Sequence, residues 1–298
     1  MCGIVGLFAK HPSIEAELGT HLAGMLEALG ERGPDSAGFA VYAHAAPDRV
    51  KFTLRPPAGT DPGSLLERLG IPDSVIHPRG SHAVLSVPTA QADLARAAVA
   101  SGAPGTVVVG SGQRMELYKE VGRPGDVARS FGLSGMCGSH GIGHTRMATE
   151  SAVTTDGAHP FSTGPDQCLV HNGSLSNHNA VRRALRRRGY GFATENDTEV
   201  AAVYLTARMQ QGQSLGDALG GALDDLDGFY TFVVGTGTGF AVLRDPIACK
   251  PAVMAETRSY VAFGTEYRAL AALPGIETAC VWEPHPGKVY AWERGQDG

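Results

Sequence analysis

The chain begins Met1-Cys2 and passes at once into GIVGLFA, residues 3–9. This uninterrupted apolar and glycine run reads as a buried strand starting within the first residues. A buried strand has to be covered, so the fold must pack further layers onto it. The next segment supplies one. Leu18, Leu22, Met25, Leu26 and Leu29 recur at helical spacing and define a single apolar face. Gly30 and Gly33-Pro34 end that helix and open the segment RGPDSAG, after which FAVYAHA returns as a strand.

From about residue 44 to 136 the texture changes to Pro, Gly and Ala, with SHAVLSV and GTVVVGS as strands and QADLARAAVA as a helix between them. This stretch reads as an inserted α/β subdomain. Beyond it come the strand LVHNG and helices from about Asn179, from Asp197 and across Leu215–Leu226. FYTFVVG, GFAVLRD, YVAFGTE and KVYAW then alternate with turns. The pattern is α+β, with two or more antiparallel sheet layers and helices packed on them.

Composition removes several classes of function. A net charge of −5 gives no general attraction for nucleic acid or anionic lipid. No run of about 18 apolar residues is present to span a membrane, and the apolar start lacks the basic flank of a secretory signal. The cysteines at 2, 137, 168, 249 and 280 form no CxxC pair. A disulfide framework, a zinc site or an iron–sulfur cluster needs another pattern, so the expectation is a cytoplasmic, reduced chain with no metal. GTGTGF at 235–240 has no following helix and reads as a hairpin turn rather than a phosphate loop. The arginines at 182, 183 and 186–188 read as a solvated helix face or a partner contact, and Cys249 as a small buried residue.

Three features carry chemistry. Removal of Met1 would leave Cys2 with both a thiol and a free α-amine, a nucleophile with its own base. The α-amine titrates near about 8, so a neutral fraction is available at pH 7 to take the thiol proton. A small residue opening a strand explains Cys2 equally well. His171-Asn172-Gly173 ends a strand; an Asn side-chain NH₂ and a Gly N–H could together receive an oxyanion, or Asn-Gly could be a simple turn. Arg146 in GHTRMAT offers a planar fork to a carboxylate, or is a structural ion-pair partner. Asp197 in NDTE offers an anion to an ammonium, or caps the helix that begins there.

In order, MCGIVG, RGPDSAG, GHTRMAT, HPF, HNG, NHNAVRRALRRRGY, NDTEV and RDPIACKP resemble the class II glutamine amidotransferases, which are N-terminal-nucleophile hydrolases with a Cys nucleophile. Gly143 to Val200 looks like the glutaminase domain of glucosamine-6-phosphate synthase. RDPIACKP is similar to a segment of amidophosphoribosyltransferase and asparagine synthetase. The likeness covers residues 1–43 and about 138–292. It implies a four-layer αββα sandwich over residues 1–298, interrupted by the insert at about 44–136. It further implies that Cys2 is the nucleophile and that Asn172 and Gly173 form the oxyanion hole. Arg146, with Thr149 beside it, would clamp the glutamine carboxylate, and Asp197 would bind the α-ammonium. Arg32 would support the nucleophile's surroundings, and His159 would support the site or be structural. Met147 and Glu150 stand where relatives often have Trp and His, so the rim of the site differs.

In this family ammonia usually passes to a synthase domain. The chain shows no sugar-isomerase, phosphoribosyl-binding or pyrophosphatase motif, so a separate acceptor is expected, in a hetero-oligomer. The resemblance points to the stand-alone amidotransferase subunit of a glutamate synthase-like complex of the N-methylglutamate synthase type. FMN and an iron–sulfur cluster would then belong to a partner subunit, and this chain would hold no cofactor. The rivals are another N-terminal Cys amidohydrolase, which has no need of both Arg146 and Asp197, and a non-catalytic glutamine-sensing or scaffold subunit.

Overall fold

The computed structural model describes residues 2–46, 48–148 and 152–294; Met1, Thr149 and Glu150 lie outside them. The strands are β1 (Gly3–Ala9), β2 (Ser36–Tyr42), β3 (Arg49–Arg55), β4 (Val75–Arg79), β5 (His82–Pro88), β6 (Val107–Gly112), β7 (Met115–Val121), β8 (His140–Arg146), β9 (Phe161–Gly164), β10 (Gln167–Leu175), β11 (Gly228–Gly235), β12 (Gly239–Arg244), β13 (Val253–Glu256), β14 (Tyr260–Gly264), β15 (Cys280–Trp282) and β16 (Val289–Glu293). The helices are α1 (Pro12–Ala16), α2 (Leu18–Ala28), α3 (Pro62–Leu69), α4 (Ala92–Gly102), α5 (Pro124–Ser130), α6 (His178–Arg187), α7 (Asp197–Met209) and α8 (Leu215–Asp225).

A seven-stranded sheet runs β15-β13-β14-β1-β8-β2-β7, and a five-stranded sheet runs β16-β12-β11-β10-β9. β1 sits inside the larger sheet, pairing Gly3 with Thr145 of β8 and Val5 with Gly264 of β14. Its side chains alternate between two cores, as the strand period demands. Val5, Leu7 and Ala9 pack with Leu18, Leu22, Met25 and Leu26 of α2. Ile4 and Phe8 face the other way, towards Val170, Val233 and Phe240 of the five-stranded sheet. The far side of that sheet is covered by α6, α7 and α8. The order of layers is therefore helix, sheet, sheet, helix, the four-layer αββα sandwich that the resemblance implied.

A separate four-stranded sheet, β4-β5-β3-β6, lies with α3 and α4 around its own core of Phe52, Leu54, Leu65, Leu85 and Val99. It occupies residues 49–112, less than the expected 44–136. β7 leaves it and pairs with β2, Gly38 opposite Lys119, in the larger sheet. The reason lies in the alternation: Met115 and Leu117 fill the space between the two main sheets, while Tyr118 turns to the α2 side. α5 then packs on that same helical layer.

Two surface expectations change. Arg182 on α6 is buried and ion-pairs with Glu195, so only Arg183 and Arg186–Arg188 of the basic run are exposed. Cys249 is exposed rather than buried. The Asp245 carboxylate accepts the N–H groups of Ile247 and Ala248, bending the loop so that its tip faces solvent. GTGTGF is the β11–β12 turn, closed by Thr236 N–H to the Gly239 carbonyl at 2.8 Å. Among the described residues no helix is long and apolar enough to cross a membrane.

Phe240 is fully buried where the two main sheets meet. Phe240→Ala should lower the unfolding free energy by about 3–5 kcal/mol in urea melts; a loss under about 1 kcal/mol would show that the sheets do not depend on this contact.

Candidate active site

Cys2 stands at the mouth of β1. The strand is anchored beside it by Ile4 N–H donating to Thr265 Oγ1 at 2.8 Å. After α2 ends, the short turn Gly30–Arg32 carries Arg32 to the same place. Arg32 Nε donates to the Cys2 carbonyl at 3.1 Å, and its Nη1 pairs with Glu266. The Cys2 thiol lies 4.0 Å from the Met147 carbonyl, just past the end of β8.

The second sheet brings Asn172 and Gly173 to this point from β10. Asn172 Nδ2 donates to the same Cys2 carbonyl at 3.3 Å. An amide NH₂ has two hydrogens, so one remains for another acceptor. Gly173 lies opposite Tyr230, whose N–H and C=O both turn towards Asp245 on the far side of β11. Gly173 and Tyr230 are therefore a non-hydrogen-bonded pair, and the Gly173 N–H points away from β11. On that outer edge β9 pairs with β10 only as far as Leu169, which leaves the edge at Gly173 open. Glycine is required here: its φ is +150°, and a Cβ would sit 2.0 Å from the Phe229 carbonyl oxygen.

Arg146 is the last residue of β8, and its carbonyl accepts the Asp35 N–H at 3.1 Å. Its Nη1 reaches the Ala152 carbonyl at 3.4 Å. Asp197 opens α7, but it does not cap it. Asn196 is the cap, its side chain accepting from Thr198 N–H at 2.8 Å. That frees the Asp197 carboxylate to accept Leu175 N–H at 2.9 Å and to stand 3.7 Å from His171 Nδ1. Burial pushes the Asp197 carboxyl up, but the His171 ring and the Leu175 N–H outweigh it and hold the group down at about 2.

Behind these residues three histidines meet. Thr198 Oγ1 lies 2.8 Å from His159 Nε2 and 3.0 Å from His171 Nδ1. The His144 and His159 rings stack with centroids 4.0 Å apart, and His144 Nε2 donates to the His171 carbonyl at 3.0 Å. Burial lowers His144 to about 3 and His159 well below its ordinary value, so both are neutral spacers at pH 7.

Cys2, Arg146, Met147, His159, Asn172, Gly173 and Asp197 line one cavity of about 260 Å³. A neighbouring one of about 630 Å³ shares Arg146 and Asp197, so the two form a continuous cleft. Arg32 stands behind the thiol rather than in the cleft wall, and Thr149 lies outside the described residues. The sequence reading missed Thr198, His144 and His171 as members of the site, since only the fold joins β8, β10 and α7. Among the described residues no group of three His, Cys, Asp or Glu is gathered for a metal ion.

Comparison with known proteins identifies the fold and the family. The amidophosphoribosyltransferase of Bacillus subtilis, "glutamine phosphoribosylpyrophosphate (PRPP) amidotransferase", superposes over 98% of this chain and 47% of its own with a TM-score of 0.63 at 20% identity. The fold is that of the N-terminal-nucleophile, class II glutamine amidotransferases. A family model described as a glutamine amidotransferase domain matches residues 144–272. The glutamine amidotransferase-like protein GlxB of Rhizobium meliloti is 58% identical over 297 residues, 98% of each chain. A putative glutamine amidotransferase of Methanothermobacter thermautotrophicus is 32% identical over 98% of this chain and 100% of its own. The chain belongs to the glutamine amidotransferase family, and it is an amidotransferase enzyme.

Because the folded value of Asp197 lies below its ordinary 3.8, its ionised form stabilises the fold above about pH 4, and that contribution disappears as the pH falls towards 2. The stability difference between the native chain and Asp197→Asn should shrink by about 2 kcal/mol as the pH falls from about 4 towards 2 in urea melts. A difference that grows on acidification would contradict the assignment of the proton.

Proposed function

We propose that this enzyme hydrolyses glutamine through Cys2 and passes the ammonia to a separate synthase subunit. With Met1 removed, the α-amine takes the thiol proton as sulfur attacks the side-chain amide carbon. The carbonyl electrons move to oxygen, which meets the second Asn172 Nδ2 hydrogen and the Gly173 N–H. The tetrahedral intermediate collapses, and the amide nitrogen leaves as ammonia carrying the proton from the α-ammonium. Water then splits the glutamyl thioester to glutamate and free thiol. Arg146 holds the substrate carboxylate and Asp197 its ammonium, each as a charge-assisted contact.

The observation that carries this reading is the meeting of Cys2, Arg146, Asn172, Gly173 and Asp197 in one cleft, from four elements of two sheets and a helix. A cation and an anion set apart in one cleft with a thiol suit an α-amino acid, and a simple amide would use neither. The ionised Asp197 is already held by donors and needs no rearrangement to meet an ammonium.

For the acceptor, what supports a separate partner is that two relatives match this chain across nearly their whole length. The partner we favour is a glutamate synthase-like subunit of the N-methylglutamate synthase type, carrying FMN and an iron–sulfur cluster, with no cofactor in the amidotransferase chain. Isolation of the native complex with no flavin or iron in any subunit would remove that assignment.

Asn172→Ala should lower kcat for glutamine hydrolysis by about 10²- to 10³-fold with little change in KM. Asp197→Asn and Arg146→Ala should act mainly through a raised KM. An Asn172→Ala enzyme within about threefold of the native rate would exclude Asn172 from the oxyanion site.

A further inference from the structure

The strand β7 carries an unusual residue. In MELYKEV, Met115 and Leu117 alternate into the space between the main sheets, and Lys119 follows them on the same face. Its side chain is buried, and burial lowers its ammonium to about 8. Among the described residues no carboxylate hydrogen-bonds to it. Instead its Nζ donates to the carbonyls of Ala158 at 2.9 Å, Asp156 at 3.2 Å and Pro160 at 3.5 Å, and sits 4.5 Å from the centre of the Phe161 ring.

The segment held in this way lies between the two proposed ends of the glutamine site. At one end Ala152 receives Arg146 Nη1, and Gly157 packs so close that a Cβ there would lie 3.4 Å from the same nitrogen. At the other end His159 meets Thr198 Oγ1, and Thr198 adjoins both Asp197 and His171. Gly38, directly across from Lys119 on β2, lets the segment come in: a Cβ there would stand 2.2 Å from the His159 carbonyl. Glu120 adds a second hold, accepting the Thr155 hydroxyl with one oxygen and the Ser81 hydroxyl of the four-stranded unit with the other.

We infer that Lys119 is a positioning residue of the glutaminase: its Nζ, donating to these backbone carbonyls, sets residues 152–160 so that Arg146 and Asp197 are correctly spaced for one glutamine. The inference rests on the assignment of those two residues to the substrate's carboxylate and ammonium. Replacing Lys119 with an apolar chain leaves the carbonyls buried without donors and loosens the segment that spaces the clamps. Binding then suffers while the reacting groups, which lie at the mouth of β1 and on β10, do not.

Lys119→Met should raise KM for glutamine by about tenfold or more with kcat within about threefold, and Lys119→Arg, which keeps N–H donors at these carbonyls, should recover much of the loss. A folded Lys119→Met enzyme with KM within twofold of native, or one that loses kcat with KM unchanged, overturns the inference. The unmodified enzyme gives an independent reading. The groups around Lys119 are Asp156, Glu199, Arg55, His82 and His159. His82 is lowered by burial to about 4 and His159 further, so neither has a charge to lose in alkali. Opening the segment would return Lys119 to water, where its ordinary value is 10.5 rather than about 8. Opening therefore takes up a proton, and the closed form is increasingly favoured as the pH rises between these values. Hydrogen-exchange protection of the amides in 152–159, corrected for intrinsic rates, should rise from pH 8 to 10 by up to about tenfold per unit. A flat profile in 152–159 overturns the inference even if neither variant folds. Failure of the underlying glutamine assignment looks different: Arg146→Ala would leave KM unchanged while the exchange response persists.

Discussion

The carbonyl oxygen of Cys2 is the point on which the site depends. It accepts Arg32 Nε at 3.1 Å and Asn172 Nδ2 at 3.3 Å. Arg32 comes from the turn that ends the first helical layer, and Asn172 from the five-stranded sheet, so one peptide group ties three of the four layers together. That tie works only in a single register. The period of a strand is two, and sliding β1 or β10 by one residue would exchange its two faces. Ile4 and Phe8 would then leave the core between the sheets, and Asn172 would turn away from Cys2. The apolar packing that stabilises the sandwich is thus also what fixes the distance between Cys2 and the Asn172 amide.

The histidine cluster does a different task. A carbonyl can only accept, so the contact of His144 Nε2 with the His171 carbonyl places the His144 proton on Nε2. Burial keeps His144 and His159 neutral, and their stacked rings fill the gap behind the cleft without adding charge to it. Arg146 and Asp197 are thus set apart across a wall in which His144 and His159 carry no charge at neutral pH. The four-stranded unit reaches the same framework from outside, through Ser81 to Glu120 and through Arg55 to Asp156.

Much of this was legible in the residues. The unbroken apolar run GIVGLFA and the spacing of Leu18 to Leu29 define β1 and α2, and the ordered motifs point to Cys2, Arg146, Asn172, Gly173 and Asp197 without any geometry. The rest was hidden for physical reasons. Residue type could not tell which of the adjacent Asn196 and Asp197 caps α7, because both side chains can do so. β7 falls inside the expected insert because Glu116, Lys119 and Glu120 mask its apolar alternation. The direction of Cys249 follows from two hydrogen bonds to Asp245 and from no property of cysteine. Thr198 lies 39 residues from His159 and 27 from His171, and only folding brings them together.

The central claim, that Cys2 is the nucleophile of a glutamine site, is tested most directly by intact-mass analysis before and after 6-diazo-5-oxo-norleucine, a reactive glutamine analogue, on the purified chain and on its native complex. The account predicts a starting mass lacking Met1 and a single adduct that maps to Cys2 and is prevented by glutamine. Retention of Met1, or no adduct on Cys2 in either preparation, would contradict it.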